Sequence, residues 1–250
     1  VHSLWLGECA LIGNILSNKF GCPHVCTLMG QDVKHSNWYL RILRNKNIKI
    51  VALSKNQSDQ FNKITNKNIY KIIHWGINDQ SAKNIIRDID LLAVGSLIPL
   101  KNYSLFITLV EQITRTNKEI KCILVGSGPE ELKLKQMARR KGVRSKIAFT
   151  GQLRRTEIFK LMQRSKIFIH PSKFEGAGFV FAEALVNGMN IVSFYVGYAH
   201  FHPKWFIAKD EKDFISITKK LIASELDFIP VNPFPLSETV EYYASLYGIE

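Results

Sequence analysis

Two carboxylates bracket a glycine-bearing loop in the run HPSKFEGAGFVFAEALVNG (170–188). Glu175 precedes a predicted helix, and Glu183 lies about one turn inside that helix, eight positions later. The first N–H groups of a helix have no partner within it, so they and the helix dipole favour an anion such as phosphate. Gly176 and Gly178 let the backbone approach such an anion closely.

A carboxylate beside a phosphate would repel it unless the carboxylate binds something else. Sugar or ribose hydroxyls are suitable, because a carboxylate accepts their hydrogen bonds well. A ligand with phosphates at one end and hydroxyls at the other meets both demands, and a nucleotide-sugar is such a ligand. The alternative is a loop carboxylate and a helix-surface glutamate that bind nothing.

The elements that position this loop alternate along the chain. Short β-branched runs are followed by amphipathic stretches, which predicts βα units with parallel sheets. Ligands bind at the carboxyl ends of the strands in such sheets, which is where the 170–188 loop lies. The predicted strands are 24–29, 48–53 and 69–75, then 90–95, 120–126, 146–151, 166–170 and 189–194.

The strand series predicts an α/β protein of two doubly wound units, the first of them incomplete. The predicted division is a partial N-terminal domain over 1–78, a hinge over 79–89, a second domain over 90–235 and a final helix over 236–250. We expect Trp5, Trp38 and Trp75 to anchor the core of the first domain.

Composition excludes several classes of protein. Apolar residues make up 46% of the chain, which is a globular composition, and no run approaches the roughly 20 apolar residues of a membrane span. Four cysteines argue against a disulfide scaffold and indicate a reducing compartment, so we expect a cytoplasmic protein. The net charge is +13, but the sequence contains no recognisable module of clustered basic and aromatic residues, so no nucleic-acid partner is expected.

Residues 90–194 resemble the retaining GT-B glycosyltransferases of family 4, the glycosyl transferases group 1. The family's E-x7-E motif corresponds to EGAGFVFAE (175–183), and the resemblance extends through VGSLIPLKN (94–102), LVGSGPE (124–130) and IAFTGQL (147–153). The resemblance implies a GT-B fold of two Rossmann-like domains. It also implies glycosyl transfer from a nucleotide-sugar donor to a saccharide or lipid-linked acceptor, with retention of configuration.

The same resemblance assigns roles to residues of the donor site. Glu175 would contact the transferred sugar and Glu183 the ribose, with Lys101 as the phosphate cation. The donor site would also contain backbone from two segments: Gly176, Ala177 and Gly178 at the diphosphate, and Gly95, Ser96 and Gly126 nearby. Gly126 fits a tight strand-to-helix turn equally well, and His170 fits a packed histidine as well as a ligand contact.

Three departures from the family pattern weaken parts of this assignment. Ser96 stands where the family usually has Arg, which would remove one charged contact worth about 1.5–3 kcal/mol. Met29 stands where many relatives place a His near the acceptor, while Asp32 remains as a candidate for an acceptor hydroxyl. The segment VGYAHFHP (196–203) replaces a Gly-Gly…Glu pattern.

No metal and no other cofactor is expected. The pair His200 and His202, and the set Cys22, His24 and Cys26, lack the further ligands that a zinc site needs. Hydride transfer is disfavoured because the segment GSGPEE (126–131) lacks the third glycine of a dinucleotide fingerprint.

Two alternatives to a glycosyltransferase stay open. One is a catalytically silent nucleotide-sugar-binding module, and the other is another GT-B enzyme such as a nucleotide-sugar epimerase. If the acceptor is lipid-linked, we expect the basic surface to bring the protein to the inner membrane face.

Overall fold

The computed structural model describes residues 1–30, 32–43, 46–79, 85–199 and 202–248, and all structural statements concern these. The described residues form two parallel β-sheets with helices packed against them, which confirms the predicted α/β class. None of the helices in these ranges is both long and apolar enough to cross a bilayer.

The first unit contains a four-stranded parallel sheet in the order β1-β2-β3-β4. Only three strands are predicted here from sequence, because β1 is three residues long and follows no periodic run. The elements are β1 (His2–Leu4), α1 (Glu8–Phe20), β2 (His24–Thr27), α2 (Tyr39–Leu43), β3 (Ile48–Ala52), α3 (Lys55–Thr65) and β4 (Lys71–Ile72).

The second unit contains a six-stranded parallel sheet in the order β10-β9-β8-β5-β6-β7. Its strands are β5 (Ile89–Val94), β6 (Cys122–Val125), β7 (Ile147–Gly151), β8 (Ser165–His170), β9 (Asn190–Ser193) and β10 (Trp205–Ile207). Its helices are α4 (Tyr103–Thr114), α5 (Glu131–Arg140), α6 (Arg155–Arg164), α7 (Phe179–Val186) and α8 (Glu211–Ile222). The short edge strand β10 is not predicted from the sequence.

The central strands of this sheet are buried on both faces. Leu91 and Leu92 of β5 are fully buried, and they contribute to different hydrophobic clusters on the two sides of the sheet. Such two-sided burial explains why these strands are nearly continuous hydrophobic runs in the sequence.

The last helix, α9 (Leu236–Tyr247), lies against the first sheet. Its Tyr243 and Leu246 pack on Val25, Val51 and Ile73, and the Tyr243 hydroxyl is 2.9 Å from the Thr27 hydroxyl in β2. The predicted hinge over 79–89 falls partly outside the described residues.

The prediction that tryptophans anchor the first core is wrong for Trp5 and Trp38. Half of the Trp5 surface and 56% of the Trp38 surface are exposed, because both residues lie in loops beside the sheet rather than on its covered faces. Trp75 is partly buried, but it packs on the cluster that surrounds α7.

Candidate functional site

The predicted site lies where the strand order of the second sheet changes direction. The central strand β5 pairs with β8 on one side and with β6 on the other, so the chain leaves β5 and β8 towards opposite faces of the sheet. The loops after two such strands separate and leave a crevice at their carboxyl ends. Lys101 follows β5 and Glu175 follows β8, so both lie at this crevice.

Glu175 is held by two donors at the same oxygen. The buried His170 ring donates from Nε2 to Oε1 at 2.7 Å, and the Lys101 ammonium donates to Oε1 as well. Burial by itself raises the pKa of this carboxyl, but the hydrogen bond from His170 and the charge and hydrogen bond of Lys101 outweigh it and lower the pKa below its ordinary value. Glu175 is therefore ionised at neutral pH.

His170 is the neutral partner in this arrangement. Complete burial lowers its pKa, and the Phe168 and Phe181 rings pack beside it. The neutral ring carries its proton on Nε2, facing Glu175, while Nδ1 has no hydrogen-bond partner among the described residues. The structure thus shows a packed histidine that orients the carboxylate.

The backbone between Glu175 and α7 presents its amides without partners. Within the described part of the chain, the N–H groups of Gly176, Ala177 and Gly178 donate no hydrogen bond. Their carbonyls are fixed instead: Gly176 accepts from the Ser54 hydroxyl at 3.0 Å, and Ala177 accepts from the Tyr198 amide at 2.7 Å. The loop is held through its oxygens, and its amides at the start of α7 can bind an anion.

Gly176 joins the two units at close range. A Cβ on this residue would lie 2.8 Å from the Cα of Gly30, in the loop after β2. Since no side chain tolerates such a distance to backbone, only glycine fits here. The donor-side loop is thereby set directly against the first unit.

Glu183 is paired with a residue that the sequence alone does not single out. Arg155, the first residue of α6, donates from Nε and Nη2 to Glu183 Oε1, both at 2.8 Å. Burial raises the pKa of the Glu183 carboxyl, and the Arg155 charge opposes that rise. No periodic pattern or motif in the sequence predicts that α6 and α7 bring these two residues together.

The loops after β5 and β6 pack tightly on each other. A Cβ on Gly126 would lie 1.9 Å from the Gly95 carbonyl oxygen, which supports the interpretation of Gly126 as a turn glycine. Ser96 is exposed in the same loop. The buried Tyr103 hydroxyl, next to Gly95, has no partner among the described residues, and burial raises its pKa.

Asp32 lies on the other side of the contact between the units. Its Oδ2 accepts from the backbone amides of Met29 at 2.6 Å and Leu6 at 3.0 Å, so it ties the loop after β1 to the loop after β2. Burial raises its pKa, and these two hydrogen bonds oppose the rise. A contact between Asp32 and an acceptor hydroxyl stays a prediction.

Candidate metal ligands do not gather anywhere among the described residues. Two aspartates with one residue between them, Asp88 and Asp90, could suggest a metal-binding Asp-x-Asp pattern, but they lie at the start of β5, at the opposite edge of the sheet. Asp88 pairs there with Arg164 and Asp90 with Lys166. His24 bonds to the Ser3 hydroxyl at 2.9 Å. Of the pair His200 and His202 considered above, His200 lies outside the described residues.

Comparisons with known proteins find similarities to glycosyltransferases, and a family model matches mainly the second unit. Residues 77–200 match the family model of Glycosyl transferases group 1. An uncharacterized glycosyltransferase of Methanocaldococcus jannaschii is 25% identical over 203 residues, covering 79% of this chain and 56% of that protein. The phosphatidylinositol N-acetylglucosaminyltransferase gpi3 subunit of Schizosaccharomyces pombe is 25% identical over 141 residues, covering 55% of this chain and 31% of that protein.

Solved glycosyltransferase structures share the fold. Anabaena HepE in complex with UDP and glucose superposes with a TM-score of 0.73 at 17% identity, covering 97% of this chain and 76% of HepE. A Staphylococcus aureus TarM mutant in complex with UDP gives a TM-score of 0.67 at 15% identity, covering 91% of this chain and 47% of TarM. These likenesses show a GT-B, Rossmann-like fold.

Proposed function

We propose that this chain, which carries a Glycosyl transferases group 1 domain over residues 77–200, transfers a sugar from a nucleotide-sugar to a glycan or lipid-linked acceptor. The chain spans about a third to just over half of the two curated relatives it was compared with, so the activity of the whole protein is part of the proposal. The proposal rests on the groups that surround the loop after β8. An ionised carboxylate, unpartnered amides and an ammonium meet there at the carboxyl edge of the sheet.

The proposed chemistry follows from the charges at that edge. When the bond to the sugar breaks, negative charge develops on the diphosphate and positive charge on the sugar. The amides of Gly176, Ala177 and Gly178, together with Lys101, are suited to stabilise the leaving diphosphate, and preorganised donors of this kind stabilise developing charge efficiently. Glu175 is suited to accept hydrogen bonds from the transferred sugar, and Glu183 from the ribose.

Donor binding requires an exchange of partners in this proposal. Lys101 and Arg155 now neutralise Glu175 and Glu183, so the donor's phosphates and hydroxyls must replace those contacts. His170 stays hydrogen-bonded to Glu175 during the exchange and keeps the carboxylate in position. Retention of configuration and reaction without a metal ion belong to the proposal, as do a cytoplasmic location and peripheral membrane association.

The test is a binding and turnover comparison with a matched control. Thermal shift and calorimetric titration with UDP, GDP and their glucose and N-acetylglucosamine esters identify the donor, because a ligand that binds only the folded state raises its apparent stability. Glu175→Gln and Glu183→Gln are expected to reduce transfer by roughly ten- to a hundredfold, the value of one charged hydrogen bond. Glu241→Gln on α9, an exposed carboxylate without an ion pair among the described residues, should change nothing.

The outcomes also separate the alternatives. Binding without transfer would favour a silent nucleotide-sugar-binding module, which the exposed Ser96 in place of the family's Arg supports. Conversion of the donor sugar without any acceptor would favour an epimerase. The proposal is wrong if no nucleotide-sugar binds, or if the variants at 175 and 183 behave like the control.

A further inference from the structure

An exposed tryptophan stands at the carboxyl end of the first sheet. Trp5 directly follows β1, half of its surface is accessible, and its indole Nε1–H donates to none of the described residues. Ligands of α/β sheets bind at this end of the strands, and residues on loops there commonly carry function. Its side chain is not needed to fill the core beside α1, which other residues occupy.

The backbone of Trp5 is held in an unfavourable conformation. Its φ of 73° lies in the left-handed region, which bulky residues rarely adopt. Hydrogen bonds on both sides fix it: the Trp5 amide donates to the Thr27 carbonyl at 3.1 Å, and the Leu6 amide donates to Asp32 Oδ2 at 3.0 Å. Strain of this kind persists where the surroundings impose it, and it concentrates at ligand sites.

The indole lies next to the loop that meets the donor-side residues. A Cβ on Gly30 would be 3.3 Å from the Trp5 ring, and a Cβ on Gly176 would be 2.8 Å from the Gly30 Cα. One residue therefore separates the exposed ring from the loop that begins at Glu175. A molecule resting on this ring would lie beside the contact between Gly30 and the donor-side loop.

We propose that the Trp5 indole is the platform on which a saccharide ring of the acceptor stacks. A pyranose presents an apolar face of C–H groups, and a rigid aromatic ring offers a large contact area to such a face. The indole N–H, which has no acceptor among the residues that the structure describes, is available to a ring hydroxyl. This inference rests on the proposed function and adds to it that the reacting end of the acceptor is a sugar rather than a lipid chain or a protein side chain.

The test observes the tryptophan itself. Two-dimensional proton–nitrogen NMR resolves indole signals for the four tryptophans, and Trp5→Phe assigns the signal of interest by its disappearance. Maltose, cellobiose and N,N′-diacetylchitobiose are titrated with UDP present. We expect at least one of them to shift the Trp5 signal and to leave Trp38, an equally exposed tryptophan of the same unit, unchanged.

Two further variants distinguish stacking from a structural role. Trp5→Leu should lower saccharide affinity by roughly five- to tenfold, the value of one aromatic contact. Trp5→Asn should lower it equally while the unfolding temperature holds or rises, because Asn adopts the left-handed conformation readily. An unresponsive Trp5 signal, unchanged affinity in both variants, or an Asn variant that unfolds much earlier would each overturn this inference. If UDP itself fails to bind the wild type, the proposed function fails instead.

Discussion

The pairing of Lys101 with Glu175 predicts an unusual effect of removing the carboxylate charge. Glu175→Gln keeps the size of the side chain and an oxygen that accepts from His170, but it removes the negative charge that holds the ammonium. If Lys101 is the phosphate cation, it then becomes free to bind a diphosphate. The variant should therefore bind UDP more tightly than the wild type although it transfers sugar roughly ten- to a hundredfold more slowly.

The magnitude follows from the burial of the pair. The Lys101 and Glu175 side chains are 18% and 13% exposed, so their interaction lies between an exposed ion pair and a buried charged hydrogen bond. That range corresponds to about 1–2 kcal/mol, or roughly five- to thirtyfold tighter UDP binding. The preference for a UDP-sugar over UDP should fall in parallel, since the carboxylate that would bind the sugar is gone.

Calorimetric titration of both ligands measures these effects. Lys101→Met is the matched control: it should weaken UDP binding, and adding Glu175→Gln to it should give no gain, because no cation is left to release. Weaker or unchanged UDP binding by Glu175→Gln alone would refute the idea that the carboxylate competes with phosphate for Lys101.

Two other outcomes follow from the described contacts. Arg155→Gln removes the charge that opposes the raised pKa of Glu183, so this pKa should rise further. UDP binding needs the ionised carboxylate, so on acidification the variant should lose UDP affinity at a higher pH than the wild type. Titrations of UDP between about pH 5 and 8 check this. Gly176→Ala places a methyl group against the Gly30 backbone and should lower the free energy of unfolding, measured with denaturant, by about 1–3 kcal/mol. Gly7→Ala is the control and should be nearly neutral, because Gly7 has open space around it. Equal stabilities of the two variants would contradict the close approach of Gly176 to Gly30.

The sequence predicts the second unit closely because its strands are buried on both faces. Continuous apolar runs such as the one around Leu91 and Leu92 stand out from the amphipathic helices between them. The short strands His2–Leu4 and Trp205–Ile207 have no comparable pattern, and they form only because a longer neighbouring strand offers backbone partners.

The sequence predicts those parts of the site whose residues lie close together in one segment of the chain. The run from Glu175 to Gly178 implies a helix N-terminus with acidic neighbours, and the structure places it there. Long-range pairs are different: Arg155 meets Glu183, and Gly30 meets Gly176, only after separate elements have packed. No spacing rule within a single chain segment carries that information.

The central claim concerns the amides between Glu175 and α7, and they can be observed one by one. Backbone NMR with hydrogen exchange, with and without the nucleotide-sugar that binds, reports on Gly176, Ala177 and Gly178 separately. We predict that the ligand shifts all three amide signals and slows their exchange, because phosphate oxygens would accept from groups that have no acceptor among the described residues. A ligand that binds while these three amides remain unshifted and exchange at their original rates would contradict the proposed donor site.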